Sequence, residues 1–345
     1  MKKTLSKPSR ASRVAFANTA LRGMGIDPTR LALPFYNGAA TPSGQICLPN
    51  ESLFTQDHFS EPLTTYATGW RDPSNIEALM DFIAPPVEVG RRFEFKQAEN
   101  AEEFIIDSDD IRAVGASFKE VTYTSNTVNA KTLNKGLTIR LDIDQYTDVT
   151  KAQQTLTAKL LRRLKRSEYA RCLAILAAAA TNTAVTWSTG TPNPMADHRT
   201  ALLAGQVTSG MWNNRIWWAN DAWVNQQAGF EAGGTTSAGF RYADKNPDEI
   251  AKLLLCDSGM VSNAVYQSSA SGKSRLGAGL VFQFFAEDGV DVEDATHLKR
   301  FWSATESGPI RVYSQVFAKF IEVTVEHYSL PVATTTLGVR ALTVS

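Results

Sequence analysis

DVTKAQQTLTAKLLRRLKRSEYARCLAILAAAA, residues 148–180, is the stretch on which the fold turns. It contains no Pro and no Gly, and it is rich in Ala, Leu, Lys, Arg and Gln, all strong helix formers. At 1.5 Å per residue, about 30 residues give a helix of roughly 45 Å, against about three turns in an ordinary domain. Thr150 with Gln153 fits a capping box, and Asp142, Asp144 and Asp148 put negative charge where a helix N-terminus favours it. Ala152, Leu156, Leu160 and Leu164 form an i, i+4 stripe that drifts onto Leu161, Cys172, Leu173 and Leu176. Lys159, Arg162, Arg163, Lys165, Arg166 and Arg171 fill much of the remaining surface. The first two-thirds should therefore be amphipathic, and Cys172 to Ala180 buried nearly all round.

Working outward, the 345 residues allow one elaborate domain or two to three smaller ones. A hydrophobic fraction of 43% with 20% charged residues describes a folded chain. The 35 basic and 35 acidic residues cancel, so net charge selects no partner. Its distribution says more: residues 1–30 carry Lys2, Lys3, Lys7, Arg10, Arg13, Arg22 and Arg30 against Asp27 alone. That terminus has no apolar segment of a secretory signal behind it, and the longest apolar run, Cys172 to Ala180, is far shorter than a membrane span. Cys47, Cys172 and Cys256 are few and far apart, as expected of thiols serving as small apolar residues in a reducing compartment. The expectation is a soluble protein, intracellular when made.

Sheet-like sequence lies on both sides of the helix. Ile76, Leu79, Met80 and Ile83 make a short amphipathic helix stopped by Pro85-Pro86, and a strand is expected over Val87–Phe95. An acidic stretch follows from Glu99 to Asp110, then a return strand from Ala116 to about Val128, rich in Thr, Ser and Asn. Such a ribbon has little apolar surface on either face, and a two-stranded hairpin alone is marginal in water, so it needs a partner surface. Leu137, Ile139, Leu141 and Ile143 alternate with polar residues in a half-buried strand leading into the helix. Beyond it, helices are expected over Asp197–Gly205, from Asp221 and from Pro247 to Leu255. Strands are expected over Asn214–Ala219, Val281–Phe285, Lys319–Tyr328 and Leu337–Val344. Trp212, Trp217, Trp218 and Trp223 read as core. The class is α+β without an internal repeat.

Chemistry-bearing motifs are near misses. Gly272-Lys273-Ser274 ends like a phosphate-binding loop, but Gln267 stands where that motif needs Gly. Asp142-Ile-Asp144 departs from a calcium loop at Thr147 and Gln153. His58, His198, His297 and His327 have no metal-ligand spacing, and Asp197-His198 lacks a nucleophile elbow. No catalytic residue, metal or cofactor is expected. Glu287, Asp288, Asp291, Glu293 and Asp294 read as a solvated loop, a cation site or the complement to a basic patch on a neighbouring subunit.

The order of features resembles the major capsid proteins of tailed bacteriophages, the Hong Kong 97 fold. Leu79-Met-Asp-Phe-Ile-Ala-Pro-Pro-Val-Glu-Val resembles the approach to that family's extended loop, and Gly136-Leu-Thr-Ile-Arg-Leu-Asp-Ile-Asp the strand entering its spine helix. Ile216-Trp-Trp-Ala-Asn-Asp-Ala-Trp resembles its axial-domain strand and Trp-bearing helix. The resemblance implies an N-terminal arm over 1–65, the start of a peripheral domain over 66–87 and an extended two-stranded E-loop over 88–135. It further implies a peripheral domain with spine helix over 136–190, an axial domain over 191–315 and return strands over 316–345. The implied role is a structural, non-enzymatic subunit assembling with itself as pentamers and hexamers into an icosahedral shell around double-stranded DNA. The location would be the virion, after assembly in the host bacterial cytoplasm, with no membrane and with portal, scaffold or decoration proteins as further partners. The arm residues Lys2, Lys3, Lys7, Arg10 and Arg13 would face the DNA, whose phosphates attract them without readout of sequence. The nearest rival is an encapsulin-like compartment holding cargo enzymes, which the basic arm disfavours. A soluble enzyme with a novel site and a tail-associated structural protein are the others.

Overall fold

The computed structural model describes residues 59–97, 111, 120, 126–145, 148–188, 192–232, 242–269, 272–289, 296–304 and 309–345. Helix α1 (Glu61–Gly69) starts at Ser60, whose hydroxyl accepts from the Leu63 amide, with Pro62 in the first turn. Helix α2 (Ile76–Ile83) buries Ile76, Leu79, Met80, Phe82 and Ile83, the stripe expected from the sequence. The single strand expected over 87–95 is two: β1 (Pro86–Glu88) and β2 (Arg92–Gln97). The Val89 amide still donates to Trp302 O, whereas Arg91 O accepts from the Thr132 amide, so the chain changes partners across Gly90. Strands β3 (Asn126–Lys131) and β4 (Leu133–Asp142) then lead to helix α3 (Val149–Ala179).

Helix α3 runs 31 residues, as its composition demands, but its cap differs from expectation. Asp148, not Thr150, is the N-cap and accepts from the Lys151 amide at 3.2 Å. Gln153 is turned away and donates to Ser314 Oγ at 2.8 Å, so a tertiary partner outcompetes the local box. The apolar end of the helix is also less enclosed than its composition implies: Cys172, Leu173 and Leu176 are buried, while Ala177 and Ala178 are exposed.

After β5 (Thr181–Val185) come α4 (Pro194–Ser209), β6 (Arg215–Ala219), α5 (Asn220–Ala232) and α6 (Pro247–Leu253). Helix α4 exceeds the expected Asp197–Gly205 at both ends because Asn193 caps it with Pro194 in the first turn, and Gly210 ends it at φ 75°. Strands β7 (Ser258–Ser262), β8 (Val265–Gln267), β9 (Lys273–Arg275) and β10 (Leu280–Phe284) follow. The last four are β11 (Leu298–Trp302), β12 (Ile310–Val316), β13 (Phe320–Ala333) and β14 (Arg340–Val344).

Two five-stranded sheets result. In the first, β13 is central. Strand β4 pairs antiparallel with it from Phe320 to Ser329, while β12 and then β11 pair end to end along its other edge. Strand β1 adds to β11 in parallel. With β11 pairing beyond the end of β12, β13 extends past the expected Tyr328 to Ala333, and both of its faces are largely buried. The second sheet has the order β5-β14-β10-β6-β7. Its chain-terminal strand β14 lies between β5, entered directly from α3, and β10.

Helix α3 serves two cores. Ala152, Leu156, Leu160, Leu161 and Leu164 pack with Leu63, Val312, Ile321, Val323 and Val325 against the first sheet. Tyr169, Cys172, Leu173 and Leu176 belong instead to the core of α2 and the second sheet, with Trp187, Trp217, Trp218 and Phe282. Tyr169 OH accepts from Trp217 Nε1 at 3.0 Å and donates to Ser262 Oγ at 2.9 Å, fixing the helix to β6 and β7.

The second core is tight around Trp217. Gly277 has φ +72°, and a Cβ there would lie 2.6 Å from the Trp217 ring. Gly277→Ala should lose about 2 kcal/mol in equilibrium urea unfolding, from strain and overpacking together. Gly69→Ala, where a Cβ meets nothing within 4 Å, should be neutral or slightly stabilising. Equal effects would contradict this packing.

Candidate assembly surfaces and the charge at their root

Strands β2 and β3 form an antiparallel ribbon, Arg92 opposite Lys131 to Gln97 opposite Asn126, that belongs to neither sheet. Where side-chain placement is described, none of its residues is fully buried. Its root is held by aromatic contact: the Phe93 ring lies 4.5 Å and the Phe95 ring 5.6 Å from that of Phe301 on β11. Arg91 stacks over Tyr328 of β13 at 4.5 Å. Residues 98–125, which carry the acidic stretch and most of the expected return strand, lie outside the described set apart from Ile111 and Glu120.

Immediately after the ribbon, β4 is tied to α3 and β13 by a buried ionic cluster. Lys135 Nζ donates to both oxygens of Glu168, at 3.0 and 2.8 Å, and to Ser329 Oγ at 3.2 Å. Ser329 Oγ donates to Glu168 Oε1 at 2.5 Å and Arg171 to Oε2 at 2.9 Å. Glu168 is fully buried. Burial alone would raise its pKa, but the Lys135 charge and the hydrogen bonds from Lys135 and Ser329 overcome it and hold the carboxyl at about 2. Burial also lowers the Lys135 pKa, against the attraction of Glu168. A carboxylate meeting two cations and a hydroxyl fits the rule that buried charge persists only when fully paired.

The reverse face of the first sheet is a polar ladder. Arg140 pairs with Glu322, Thr138 bonds Thr324 at 2.8 Å, and Glu326 accepts from Asn134 at 2.9 Å and Tyr313 at 3.1 Å. The charged groups on β13 are therefore satisfied within the sheet.

The histidines are structural. His198 of α4 lies between Trp187 and Trp218, ring centroids 5.4 and 5.9 Å away. Its Nδ1 accepts from Gln283 at 2.8 Å, so its Nε2–H donates to Gln226 at 3.2 Å, which fixes the neutral tautomer. Asp197 accepts from Trp187 Nε1 at 2.8 Å rather than orienting His198, so the imagined pair is not brought together. His297, buried between β10 and the turn before β14, accepts from the Phe285 amide and bonds Leu337 O. Burial lowers the pKa of His198 and of His327 to about 4, and that of His297 in the same direction. Burial pushes the Cys172 and Cys256 thiols up to about 12, so neither is a ready nucleophile.

Other sequence candidates resolve locally. Gly272 and Ser274 close a hairpin tip with Ser268 and Ser269, Gly272 N to Ser269 Oγ at 2.9 Å and Ser274 Oγ to Ser268 Oγ at 2.7 Å. Of the acidic run, Asp288 bonds Arg215 at 3.0 Å, and Lys299 Nζ holds the carbonyls of Glu287 and Gly289; Asp291, Glu293 and Asp294 lie outside the described residues. So do the arm residues Lys2, Lys3, Lys7, Arg10 and Arg13, with Cys47 and His58. Among the described residues, no group of three or more His, Cys, Asp or Glu is arranged to hold a metal, and no helix is long and apolar enough to cross a membrane. The sequence reading missed Glu168. Glu168 had one signal, being the sole acid on a strongly basic helix.

No protein-family model matches the chain, and no curated protein matches it in sequence. Solved structures do match. A phage-related protein from Bordetella bronchiseptica RB50 superposes with a TM-score of 0.60 at 15% identity, over 82% of this chain and 96% of that one. The capsid protein of the cyanophage P-SCSP1u (TM-score 0.45, 11% identity, 80% and 90% covered) and a virus-like particle from Pyrococcus furiosus (0.44, 10%, 85% and 98%) are more distant. The fold assignment rests on the first. The chain shares the fold of that phage-related protein, and its class is the α+β one expected from the order of sequence features.

Two outcomes follow from the buried charges. Glu168→Gln should cost about 3 kcal/mol by leaving Lys135 and Arg171 against a neutral amide, while Lys135→Met with Glu168→Met should recover more than half of that. A double variant less stable than the single one would contradict the assigned pairing. His198 and His327 titrate near 4 in the folded chain and near 6.5 when unfolded, so the unfolded chain binds more protons between those values. Stability should fall as pH drops from 6.5 to 4, by up to about 1.4 kcal/mol per pH unit for each histidine. His198→Gln should flatten that slope in urea titrations; an unchanged slope would show that His198 does not contribute. Below about 4.5 the protonation of Glu168, held at about 2 in the folded chain, should weaken it further.

Proposed function

We propose that this chain is a major capsid protein of a tailed bacteriophage, a subunit that assembles with itself as pentamers and hexamers into an icosahedral shell around double-stranded DNA. The observation that carries the reading is the ribbon, within a fold shared with a phage-related protein over most of both chains. The ribbon pairs six residues per strand and stands outside both sheets, with three phenylalanines at its root. A single subunit gives it little to pack on, whereas neighbouring copies would bury it in shared contacts.

In this reading α3 is the spine, and it forms the peripheral domain with the first sheet. The second sheet with α4, α5 and α6 is the axial domain. The ribbon is the root of the E-loop. Residues 1–65 form an arm that runs into the first turn of α1, with Lys2, Lys3, Lys7, Arg10 and Arg13 facing the packaged DNA. The protein has no catalytic role and takes no cofactor. It resides in the virion after assembly in the host bacterial cytoplasm, alongside portal, scaffold or decoration proteins. A cargo-holding compartment of the encapsulin kind shares the shell architecture and differs in what it encloses.

Light scattering and negative-stain images of the full chain expressed alone test the reading. Closed shells, or rings of five and six copies, are the expected result, and a folded monomer that stays monomeric at high concentration would overturn it. If shells form, their contents separate the two architectures: nucleic acid supports the phage reading and protein cargo the rival.

A further inference from the structure

Helix α3 carries seven bases and a single acid, Glu168, and the structure sorts the bases by what neutralises them. Lys165 bonds Glu77 at 2.8 Å, Arg162 lies 3.9 Å from Asp72, and Arg171 bonds Glu168. Arg166 reaches Ser74 Oγ at 3.4 Å. Lys165 and Arg162 also lie over the Trp70 ring, at 5.4 and 5.8 Å. These four serve the packing of α3 against α2 and the turn before it.

Lys151, Lys159 and Arg163 do not. All three are exposed, and none has a carboxylate partner among the described residues. Lys151 and Arg163 are about 18 Å apart along the helix axis, with Lys159 one turn before Arg163. Three cations without a paired carboxylate on the exposed side of a rigid helix, two of them one turn apart, concentrate positive potential on a chain whose overall charge is zero. The same face lacks what a protein partner requires. Interfaces between proteins are anchored by buried aromatic or apolar side chains, and none of the large hydrophobic residues exposed on this chain lies on α3. A partner recognised by charge alone, without an apolar anchor, is a polyanion with regularly repeated charge.

We propose that the outward face of α3, through Lys151, Lys159 and Arg163, is a second nucleic-acid contact, binding the phosphate backbone of duplex DNA without reading its sequence. It acts in addition to the basic N-terminal arm, and it rests on the reading of the chain as a DNA-enclosing shell subunit. Each flexible cation would displace condensed counterions from a phosphate, so the contact should show in the salt dependence of binding.

The test compares the full chain with a Lys151→Glu, Lys159→Glu, Arg163→Glu variant and with a charge-matched control, Arg199→Glu, Lys252→Glu, Lys273→Glu, whose sites are exposed outside both α3 and the ribbon. Binding to short DNA duplexes of two unrelated sequences is followed by fluorescence anisotropy between about 50 and 200 mM salt. The α3 variant should lose at least about tenfold in affinity at low salt, and its log–log salt slope should be shallower by about 3. The control should change the slope by less than half as much, and both sequences should behave alike. An α3 variant that binds as the control does would overturn the proposal. So would one that keeps wild-type DNA binding but no longer assembles, because the face would then be a contact between copies, with the acidic residues 99–110 of a neighbour as the natural occupant. Light scattering on the same samples reports assembly separately. Wild-type chain that binds duplex but never assembles would therefore sink the shell reading and leave the contact standing.

Discussion

Glu168 is the charge on which the architecture depends. It lies on α3 between Leu164, the last residue of that helix in the first core, and Tyr169, the first in the second. From there it bonds Lys135 of β4 and Ser329 of β13. One carboxylate thus sets the register of the long helix against the strand leading out of the ribbon and against the central strand of the first sheet. Two apolar residues could fill the same volume with equal or greater stability, but without a directional bond the helix could slide or rotate between its two cores. The cluster fixes position where hydrophobic burial, being non-directional, does not.

That fixed junction explains how a ribbon without a core of its own leaves the subunit in a defined direction. Strand β4 is rigidly held over its whole length by β13, Thr132 is bonded back to Arg91, and Phe93 and Phe95 rest on Phe301. Where its side-chain placement is described, no residue of the ribbon is fully buried. The carboxylates of Glu322 and Glu326 on β13, which might otherwise have demanded an outside partner, are satisfied by Arg140, Asn134 and Tyr313. The ribbon, not the sheet, is therefore the part of the described subunit that calls for a neighbour.

Much of this was legible in the sequence wherever a pattern is local. Helix α3, α2, β4, β6 and β10 follow from periodicity, and the helix from Pro247 from its Pro, acids and cap. What escaped depends on partners far along the chain. Gln153 has a good local role as a capping residue and gives it up for Ser314. Val87–Phe95 reads as one strand because nothing local reveals that β1 joins β11 while β2 joins β3. Strand β13 continues through Pro331 because β11 takes over where β12 ends. Helix α1 escaped despite its signal, Ser60 before Glu61-Pro62, because the arm expected over 1–65 runs through its first residues. The candidate site was less legible than the fold. A ribbon with little apolar surface is visible as composition, but Glu168 gains its meaning only when Lys135 and Ser329 arrive from other strands.

Hydrogen–deuterium exchange, comparing dilute unassembled chain with the assembled state, tests the central claim most directly. Amides of β13 and of α3 should be equally protected in both, because their bonds lie within one subunit. Amides of Arg92–Gln97 and Asn126–Lys131 should exchange rapidly in the isolated chain and slow by at least about tenfold on assembly, as neighbours cover the ribbon. A ribbon already as protected as β13 in the isolated chain would contradict the account, since the subunit would then need no neighbour to complete it.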